Sequence, residues 1–366
     1  MKIAQVITLS EPIGGAQMVL YNNTEAMIKA GHHVHIIVGQ GGTLTKRLEA
    51  LNVPVTIIPS LRREISPKKD YQCYKNLRNT LDEIKPDIVI SHSSKAGILT
   101  RLACHKNNVR NIFTAHGWSF TPGVRGIKRY LFLLIEKVMG LFTDHVITVS
   151  NFDRKQALKY AIVPDQKMKV IYNGSPDLTN KNIRKDSDGY LRILMVARFQ
   201  YPKDHDTLFK AVTMVKDEKI KVDLIGSGEH EETYKSLAKE LKIDHLITFH
   251  GESNEVPTFL NQADVFVLTS IFEALPLSIC EAMSVGIPIL ASNVGGIHEM
   301  VKNDYNGYLV PAKDHTFLAE RIKQLIRDEK LLKRLGENSR KTFDETFSIH
   351  KMWTCTENYI KQIVQD

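Results

Sequence analysis

The feature that most constrains the fold is an alternation of short apolar runs and amphipathic helical patterns that appears twice along the chain. The first series begins with the apolar run Lys2–Thr8, and the second begins with Arg192–Val196, after a polar stretch. Strands that alternate with helices predict a mostly parallel sheet covered on both faces. We therefore predict an α/β protein with two Rossmann-like β/α/β domains facing each other across a deep cleft, where ligands bind at the carboxyl ends of the strands.

The length of 366 residues also favours two domains over one. We place an N-terminal domain at residues 1–175, a linker at 176–190 and a C-terminal domain at 191–345. The linker prediction rests on the segment SPDLTNKNIRKDSDGY, which is polar and almost free of apolar side chains. Residues 346–366 contain a last helix that either closes the second domain or crosses back to the first.

The composition fits a cytoplasmic protein. The four cysteines form no CxxC pair and stand near no histidine at the spacing of a zinc finger, so we expect them to be reduced. The start of the chain, MKIAQVITLS, reads as a first strand because it lacks the longer apolar region and cleavage site of a signal peptide. No run approaches the ~20 apolar residues of a membrane span.

Positive charge is concentrated in the first half. Residues 1–175 hold 24 Lys and Arg against 12 Asp and Glu, whereas residues 176–366 hold 25 against 29. A basic domain could face nucleic acid, an anionic membrane or a phosphorylated substrate. We find no recognition helix or RNA-binding motif, so we predict no nucleic-acid partner. The basic loop Leu61–Asp70 is a candidate contact for a membrane or a substrate, with a solvated loop as the favoured alternative.

The segment Gly126–Phe142, GIKRYLFLLIEKVMGLF, is apolar on most faces of a helix and basic at its start. Such a helix could lie on a membrane surface. A helix that is apolar all round is more often buried, so we predict a core helix here.

The richest chemical pattern lies around a predicted strand–turn–helix. The buried strand Val265–Leu268 is followed by Glu273, by Pro276 at the first helical position and by a helix from Leu277 that contains Glu281. A helix N-terminus at the carboxyl end of a strand suits a diphosphate. Glu281 could accept hydrogen bonds from a ribose diol, and Glu273 from sugar hydroxyls. On the pair alone, a solvated helix residue and a loop charge are the favoured interpretation, but the position after a strand, with Pro276 between the carboxylates, is much less expected by chance.

Two further loops of the second half carry candidate phosphate-binding groups. Arg198 ends an apolar strand and Lys203 follows five residues later, so both cations could neutralise a diphosphate leaving group without a metal. Ser227 stands between two glycines directly after strand Val222–Ile225, where a tight turn lets a ligand approach backbone N–H groups. The alternatives are a surface pair of cations and an ordinary strand-to-helix turn.

In the first half, Gly14 and Gly15 stand between the first strand and the first helix, but the full GxGxxG pattern of a dinucleotide site is absent. This absence argues against an NAD enzyme. His116, at the end of a strand, could contact the reacting sugar or be a structural histidine of the turn. Trp118 and Phe120 beside it could line an acceptor cleft, though aromatic side chains more often pack in the core.

Two acidic patterns match the DxD motif by which some glycosyltransferases hold a divalent cation. Asp186-Ser187-Asp188 lies in the polar linker, without a buried strand before it, and Asp204-His205-Asp206 stands where a helix N-cap belongs. We interpret both as structural and predict no catalytic metal.

Taken together, IGGAQ, TAHGW, VIYNGS, ARFxxxK, LIGSGE, the FEALPLSICE segment and NGYLVP resemble the retaining glycosyltransferases of family 4, which have the GT-B fold. The resemblance covers nearly the whole chain, and the order and spacing of the motifs match, although the family often has Gly where this chain has Ala197. It is closest in character to bacterial capsule and exopolysaccharide enzymes.

The resemblance implies roles for residues at matching positions. Glu273 and Glu281 correspond to the E-x7-E pair that contacts the donor sugar and the ribose, and Arg198 with Lys203 to the cations on the diphosphate. His116 corresponds to the active-site histidine near the donor sugar. The loop at Gly15 corresponds to the one that faces the donor. Ser227, Pro276 and Leu277 complete the donor-binding set.

The implied reaction is transfer of a sugar from a nucleotide diphosphate, by family frequency a UDP-sugar, with retained anomeric configuration and with neither a cofactor nor a metal. The implied acceptor is a hydroxyl of a glycan or of a polyprenyl-diphosphate-linked sugar in bacterial surface polysaccharide synthesis. We expect peripheral contact between the basic N-terminal domain and the inner face of the plasma membrane. An alternative is a GT-B isomerase such as a UDP-sugar 2-epimerase, which would turn over donor without acceptor.

Overall fold

The computed structural model describes residues 1–121, 124, 126–180, 182–183 and 188–365. The chain forms two compact units. The first comprises Met1–Tyr172 together with the end of the chain from Met352, and the second comprises Asn173–Lys351. Each unit is an α/β structure around a parallel sheet, which confirms the predicted fold class.

Seven strands form the sheet in the described part of the first unit, in the order β3-β2-β1-β4-β5-β6-β7. The strands are β1 (Lys2–Ile7), β2 (His33–Val38), β3 (Val55–Ile57), β4 (Ile88–His92), β5 (Arg110–Ala115), β6 (His145–Thr148) and β7 (Met168–Val170). The helices are α1 (Gly15–Lys29), α2 (Thr43–Glu49), α3 (Pro67–Ile84), α4 (Ser94–Asn107), α5 (Ile127–Gly140) and α6 (Asn151–Lys159). The central strands are almost wholly buried because helices cover both faces of a parallel sheet.

In the second unit, the described residues contain a six-stranded sheet in the order β10-β9-β8-β11-β12-β13. Its strands are β8 (Leu191–Val196), β9 (Ile220–Ile225), β10 (Ile247–Phe249), β11 (Val265–Leu268), β12 (Ile289–Ser292) and β13 (Gly307–Val310). The helices are α7 (His205–Met214), α8 (Glu231–Glu240), α9 (Val256–Gln262), α10 (Leu277–Ser284), α11 (Ile297–Met300), α12 (His315–Arg327) and α13 (Glu329–Thr342). The order of strands places β8 between β9 and β11, so the loops after these three strands are neighbours.

The last helix, α14 (Ile349–Gln365), packs on the first unit from Met352 onward. Tyr359 on this helix lies 3.2 Å from His145 Nδ1, and Arg110 donates a hydrogen bond to the carbonyl of Ile363. Trp353 packs edge-on against His32 with the ring centres 6.2 Å apart. Of the two placements that the sequence left open, the helix thus adopts the one on the first unit.

The chain passes from the first unit to the second after Tyr172, three residues before the predicted boundary, and part of the predicted linker is held on the second unit. Leu178 donates its N–H to Ser284 Oγ at 3.2 Å, Thr179 Oγ1 donates to the Ser284 carbonyl at 2.9 Å, and Arg340 pairs with Asp177 at 2.8 Å. These contacts hold residues 177–179 beside the end of α10, an arrangement that composition alone does not distinguish from a solvated linker. Residues 181 and 184–187, including Asp186 and Ser187, lie outside the described residues.

Helix α5 differs from the predicted core helix because only one of its faces is buried. Its inner face carries Glu136, which is 1% exposed and paired with the equally buried Arg101 at 2.9 Å. The outer face exposes a row of apolar side chains at helical spacing: Ile127, Tyr130, Leu131, Leu134, Val138 and, just beyond the helix, Leu141. Apolar character on most faces was therefore wrong as a sign of complete burial. Nowhere in the described chain is a helix long and apolar enough to span a membrane.

Candidate active site

The candidate site of the second unit lies at the carboxyl ends of the neighbouring strands β8, β9 and β11. Arg198 and Lys203 follow β8, Gly226–Gly228 follow β9, and Glu273 follows β11. Because all three strands run parallel, the loops that carry the predicted residues meet at one edge of the sheet.

Lys203 and Glu273 form an ion pair, with Lys203 Nζ 2.5 Å from Glu273 Oε1. The backbone of the Lys203 loop runs antiparallel to Ser270, and Asp204 N donates to the Thr269 carbonyl at 3.0 Å. Ile271 N donates to the carbonyl of Pro202 at 2.8 Å on the other side. Backbone hydrogen bonds thus hold the two loops side by side, and this local structure brings Lys203 and Glu273 together.

Ser270, which sequence reasoning missed, orients the Glu273 carboxylate. Ser270 Oγ donates to Glu273 Oε1 at 2.6 Å, and the Ser270 N–H is itself held by Ser292 Oγ at 3.0 Å. Glu273 Oε1 therefore accepts hydrogen bonds from both Lys203 Nζ and Ser270 Oγ. Oε2 has no partner among the described residues, so it keeps its full capacity to accept hydrogen bonds from a ligand.

A glycine in the neighbouring loop fixes the backbone of Glu273. Gly295 has a φ of +55°, and a Cβ at this position would lie 1.6 Å from the Glu273 carbonyl oxygen. Gly296 N donates to the carbonyls of Glu273 and Ala274 at 3.3 and 3.0 Å. Only glycine combines this positive φ with so close an approach, so residue 295 sets the position of the site carboxylate.

Arg198 is exposed, and its guanidinium makes no hydrogen bond or ion pair with any residue that the structure describes. An unpaired guanidinium offers five N–H donors in a planar fork that matches the oxygens of a phosphate group. Arg198 is thus the cation of this site with the most unused capacity.

Helix α10 starts at Leu277, with Pro276 as the N-cap and not as the first helical residue that the sequence predicted. Proline has no N–H to leave unpaired, so it suits either place. The N–H groups of Leu277 and Ser278 find no acceptor in the part of the chain that the structure describes. Asn173 donates its side-chain N–H to the Leu275 carbonyl at 2.8 Å and so holds the loop that leads into the helix.

Glu281 lies on α10, partly buried, and its carboxylate makes no hydrogen bond or ion pair within the described residues. Desolvation by burial raises the pKa of Glu281 to about 7. A carboxylate left without partners in a poorly hydrated place costs stability, so its two oxygens would gain most from a ligand that donates two hydroxyl groups.

The turn after β9 also requires its glycines. A Cβ at Gly226 would lie 2.2 Å from the Ala197 carbonyl oxygen, and one at Gly228 would lie 2.5 Å from the Phe199 carbonyl oxygen. The two glycines bring this turn against the backbone that follows β8. Ser227 Oγ donates to Glu252 Oε1 at 2.6 Å, so the hydroxyl already has a partner, and Glu252 is a residue that the sequence did not single out.

The Asp204-His205-Asp206 pattern has the structural role that the sequence predicted for it. Asp204 caps α7 and accepts a hydrogen bond from Thr207 Oγ1 at 2.7 Å. His205 is buried between the rings of Phe199 and Tyr234, and this burial lowers the pKa of His205 to about 3. Among the described residues, no three His, Cys, Asp or Glu side chains are grouped so as to hold a metal ion, and metal independence stays a prediction.

In the first unit, the Gly14–Gly15 loop is held by the helix that it starts. Gly15 is the first residue of α1, and Gly14 is its N-cap. Gln17 Oε1 accepts from Gly14 N at 3.2 Å, and Gln17 Nε2 donates to the Leu9 carbonyl at 3.3 Å. The Gln17 side chain thus caps the start of α1 and holds the loop before it.

His116 follows β5 and contacts a second histidine, His92, which no sequence pattern singles out. His116 Nε2 lies 2.9 Å from Nδ1 of His92, the last residue of β4, and the two rings are stacked. Burial lowers the pKa of His116 to about 4, so the ring is neutral near pH 7. Trp118 and Phe120 are buried and stacked on each other, and Trp118 Nε1 donates to the Asp153 carbonyl, so both belong to the core and do not line a cleft.

The electrostatics of the two units differ. The second unit presents Arg198, Lys203 and a helix N-terminus at one sheet edge, which together can stabilise negative charge on phosphate oxygens. Glu273 and Glu281 supply acceptors for hydroxyl groups. The first unit presents a neutral imidazole.

Comparisons with known proteins agree with this arrangement. The family model described as Glycosyl transferases group 1 matches residues 178–342, and the model of Glycosyltransferase Family 4 matches residues 13–176. The UDP-Gal:alpha-D-GlcNAc-diphosphoundecaprenol alpha-1,3-galactosyltransferase of Escherichia coli is 29% identical, with 96% of this chain and 94% of the relative covered. The O-antigen biosynthesis glycosyltransferase WbnH of Escherichia coli is 30% identical, with coverage of 83% and 84%.

Solved structures show the same fold. The glycosyltransferase from Rickettsia africae ESF-5 superposes with a TM-score of 0.85 at 23% identity, covering 100% of this chain and 99% of that one. Anabaena Alr3699/HepE, solved in complex with UDP and glucose, superposes with a TM-score of 0.83 at 19% identity and covers 99% of both chains. Both the resemblance noted in the sequence and the predicted GT-B fold are confirmed. The chain belongs to family 4 of the glycosyltransferases.

Proposed function

We propose that this glycosyltransferase moves a sugar from a UDP-sugar to a hydroxyl of a polyprenyl-diphosphate-linked sugar, with retained anomeric configuration, without a metal ion, and in the synthesis of a bacterial surface polysaccharide. The observation that carries the proposal is the set of Arg198, Lys203, Glu273 and the free start of α10 at one edge of the second sheet. This set offers positive charge for a diphosphate directly beside a carboxylate for a sugar.

The donor diphosphate is bound by the two cations and by the N–H groups of Leu277 and Ser278. Arg198 supplies a planar fork of donors, whereas Lys203 supplies a point charge with three N–H donors, one of which already serves Glu273. The helix end adds the positive pole of its dipole. The two ribose hydroxyls donate hydrogen bonds to the Glu281 carboxylate. They supply the hydrogen bonds that water would make if this carboxylate were not buried.

In the reaction, the bond between the anomeric carbon and the phosphate oxygen breaks, and its electron pair passes to the diphosphate. The acceptor oxygen forms the new bond on the face that the diphosphate leaves, and its proton passes to the departing phosphate oxygen. Arg198, Lys203 and the start of α10 stabilise the charge that grows on the leaving group, because they stand in place before the reaction begins.

The surroundings of Glu273 support an orienting role for this carboxylate. Its Oε1 already accepts hydrogen bonds from Lys203 and Ser270, which stabilise the carboxylate and reduce its strength as a nucleophile. Its Oε2 remains for sugar hydroxyls. Retention then follows from attack on the leaving-group face, with Glu273 holding the sugar in place.

The choice of donor and acceptor is supported by the relatives. The name of the Escherichia coli galactosyltransferase specifies a UDP-sugar donor and a sugar linked to diphosphoundecaprenol, and Alr3699/HepE has been solved with UDP and glucose. The galactosyltransferase and WbnH both carry transferase names, which favours a transferase over the isomerase.

An enzyme that uses a lipid-linked acceptor must reach a membrane surface, and α5 has an exposed apolar face that suits this contact. Its row of exposed apolar side chains includes Ile127 at 87% and Leu134 at 59% exposure, with the exposed cations Lys128 and Lys137 on the same helix. Apolar side chains flanked by lysines are typical of helices that lie in the interface of an anionic bilayer. We infer peripheral contact through this face, on a domain whose net charge is positive.

The experiment that tests the proposed reaction measures nucleotide release from a panel of UDP-, GDP- and ADP-sugars in EDTA. We expect slow release of UDP from one sugar by the wild-type protein, and its loss in Glu273→Gln and Arg198→Ala. Arg327→Ala, an exposed arginine of α12, is the control and should behave as wild type. Turnover that requires Mn²⁺ or Mg²⁺ would contradict the metal-free mechanism. Conversion of the donor to an epimer without release would favour an isomerase.

A further inference from the structure

The strongest feature that the proposed reaction does not use is a line of buried polar groups behind His116. His116 Nε2 contacts His92 Nδ1 at 2.9 Å, His92 Nε2 contacts Gln5 Oε1 at 3.2 Å, and Gln5 Nε2 donates to Thr24 Oγ1 at 2.6 Å. Thr24 Oγ1 donates in turn to the Leu20 carbonyl at 2.8 Å. His92, Gln5 and Thr24 are each at most 1% exposed.

The fold explains how these residues meet. Strands β5, β4 and β1 are neighbours in the sheet, and the register places His92 beside Ile7 on one side and Thr114 on the other. The line therefore runs from the carboxyl end of β5 across two strands to α1. Four elements of the first unit contribute to one hydrogen-bonded chain, which leaves little freedom to any of its members.

The direction of every hydrogen bond in this chain follows from its inner end. A carbonyl oxygen only accepts, so the Thr24 hydroxyl donates to Leu20 and must accept from the amide of Gln5. Gln5 Oε1 is then the acceptor, which requires the proton of His92 to be on Nε2. His92 Nδ1 is left as an acceptor, so His116 donates from Nε2 and carries no proton on Nδ1.

Both imidazoles must be neutral for this arrangement to hold. Burial lowers the pKa of His92 well below its usual value, and the neighbouring His116 lowers it further. A second proton on either ring would place two donors face to face or leave a charge in the core without a carboxylate in the chain to balance it.

We propose that the His92–Gln5–Thr24 chain fixes His116 as its Nε2–H tautomer, so that His116 presents the lone pair of Nδ1 to a substrate hydroxyl and acts as an acceptor, not as an acid. Nδ1 makes no hydrogen bond to any residue in the described part of the chain. His92, Gln5 and Thr24 are positioning residues, since none needs to touch the substrate. The role of His116 toward a sugar rests on the proposed function, but its tautomer does not.

The first test is therefore independent of any substrate. The full-length protein is labelled with ¹⁵N-histidine, and two-bond ¹H–¹⁵N correlations report which ring nitrogen carries the proton. His116→Asn identifies the signals of His116 among the 14 histidines. We expect a single Nε2–H form of His116 at pH 7. A proton on Nδ1, or a doubly protonated ring, overturns the proposal even if the protein transfers sugar as proposed.

A matched pair at the far end of the chain separates positioning from packing. Thr24→Val keeps the shape but removes the hydroxyl that sets the direction, whereas Thr24→Ser keeps the hydroxyl. We expect a mixture of His116 tautomers in Thr24→Val and the single form in Thr24→Ser. An unchanged single tautomer in Thr24→Val overturns the proposal.

A second pair acts at His92. His92→Asn can place its Oδ1 where Nδ1 accepted, whereas His92→Leu has no acceptor. With the UDP-sugar that the wild-type protein uses, we expect kcat/KM to fall about ten-fold in His92→Leu, the factor of about one hydrogen bond, and to recover in His92→Asn. If both variants fold and lose equal activity, the chain does not act through His116. If no donor is used at all, the proposed function fails while the NMR result still decides the tautomer.

Discussion

The candidate site residues of the second unit keep unused hydrogen-bonding capacity, whereas His116 in the first unit is joined on one side to a closed chain of neutral groups. Arg198, Oε2 of Glu273 and the carboxylate of Glu281 have no partner among the described residues. His116 is held through His92, Gln5 and Thr24. The comparison teaches that the charged region has the capacity that a charged ligand would need, whereas the neutral region holds one imidazole in one orientation.

The two arrangements should also differ in stability. The Glu281 carboxylate, which burial desolvates and no described residue pairs, costs stability until a ligand arrives, as is common for functional sites. In the buried chain of the first unit, His92, Gln5 and Thr24 are each hydrogen-bonded on both sides, so the chain contributes to stability while it orients His116. Replacing Arg198 or Glu281 should therefore reduce activity with little loss of stability or with a gain, and thermal unfolding tests this expectation.

The largest expected effect is that of Arg198→Ala. Because Arg198 is exposed and its guanidinium makes no hydrogen bond or ion pair with a described residue, its removal should change the free energy of unfolding by no more than about 0.5 kcal/mol. Loss of a preorganised group beside the leaving diphosphate should lower kcat/KM for the donor by about 100- to 1,000-fold. Donor kinetics and thermal unfolding measure both quantities. A large loss of stability would contradict the idea that Arg198 is free for a ligand.

The next effect is that of Gly295→Ala, which displaces Glu273 through the backbone. The added Cβ would overlap the Glu273 carbonyl, and the φ of +55° adds strain of about 1–3 kcal/mol. We expect kcat/KM to fall about 100-fold, because a displacement of about 1 Å suffices for such a loss. Gly31→Ala, just after α1 in the first unit, is the control: its φ is +79°, but a Cβ would meet nothing within 4 Å. Equal activity losses in the two variants would assign the effect to strain alone.

Glu281→Gln should weaken donor binding and stabilise the free protein. A group whose pKa is raised in the folded state binds a proton more tightly there than when unfolded, so the stability it confers falls as pH rises from about 4 to about 7. Glutamine removes this cost. We expect KM for the donor to rise about ten- to one-hundred-fold, since hydrogen bonds to a charged acceptor are lost.

Thermal unfolding across pH measures the other half of this prediction. The gain of Glu281→Gln should be at most roughly 3 kcal/mol at pH 8 and should disappear toward pH 4. A variant that is less stable than wild type at pH 8 would show that the Glu281 carboxylate has a stabilising partner in the free protein.

The smallest expected effect concerns the membrane and involves the first unit alone. Replacing Leu131 and Leu134, on the exposed face of α5, with Gln should lower binding to vesicles of phosphatidylglycerol and phosphatidylcholine by about ten-fold. Met214→Gln, an exposed methionine of the second unit, is the control. Sedimentation with vesicles checks the result, and equal binding by all variants would remove α5 as the contact.

The fold and the outline of the second site could be predicted because each depends on local sequence. The strand–turn–helix from Val265 to Glu281 contains its own signals: a buried run, a turn and a proline before an apolar helix. Parallel strands then bring Arg198 and Glu273 to the same edge without further information.

What could not be predicted depends on contacts between distant residues. His92 and His116 are 24 positions apart and meet only because β4 and β5 are neighbours. The ion pair of Lys203 and Glu273 joins residues 70 positions apart. Helix α5 was misjudged because its sequence is apolar on two faces, and only the packing shows which face the core covers.

The most direct test of the account is calorimetric titration of the full-length protein with UDP in EDTA. If the charged groups of the second unit bind the nucleotide diphosphate without a metal, wild type and His116→Asn should bind UDP equally, whereas Arg198→Ala should bind it at least about ten-fold more weakly. Binding that appears only with Mg²⁺ or Mn²⁺, or equal affinity in wild type and Arg198→Ala, would contradict the account.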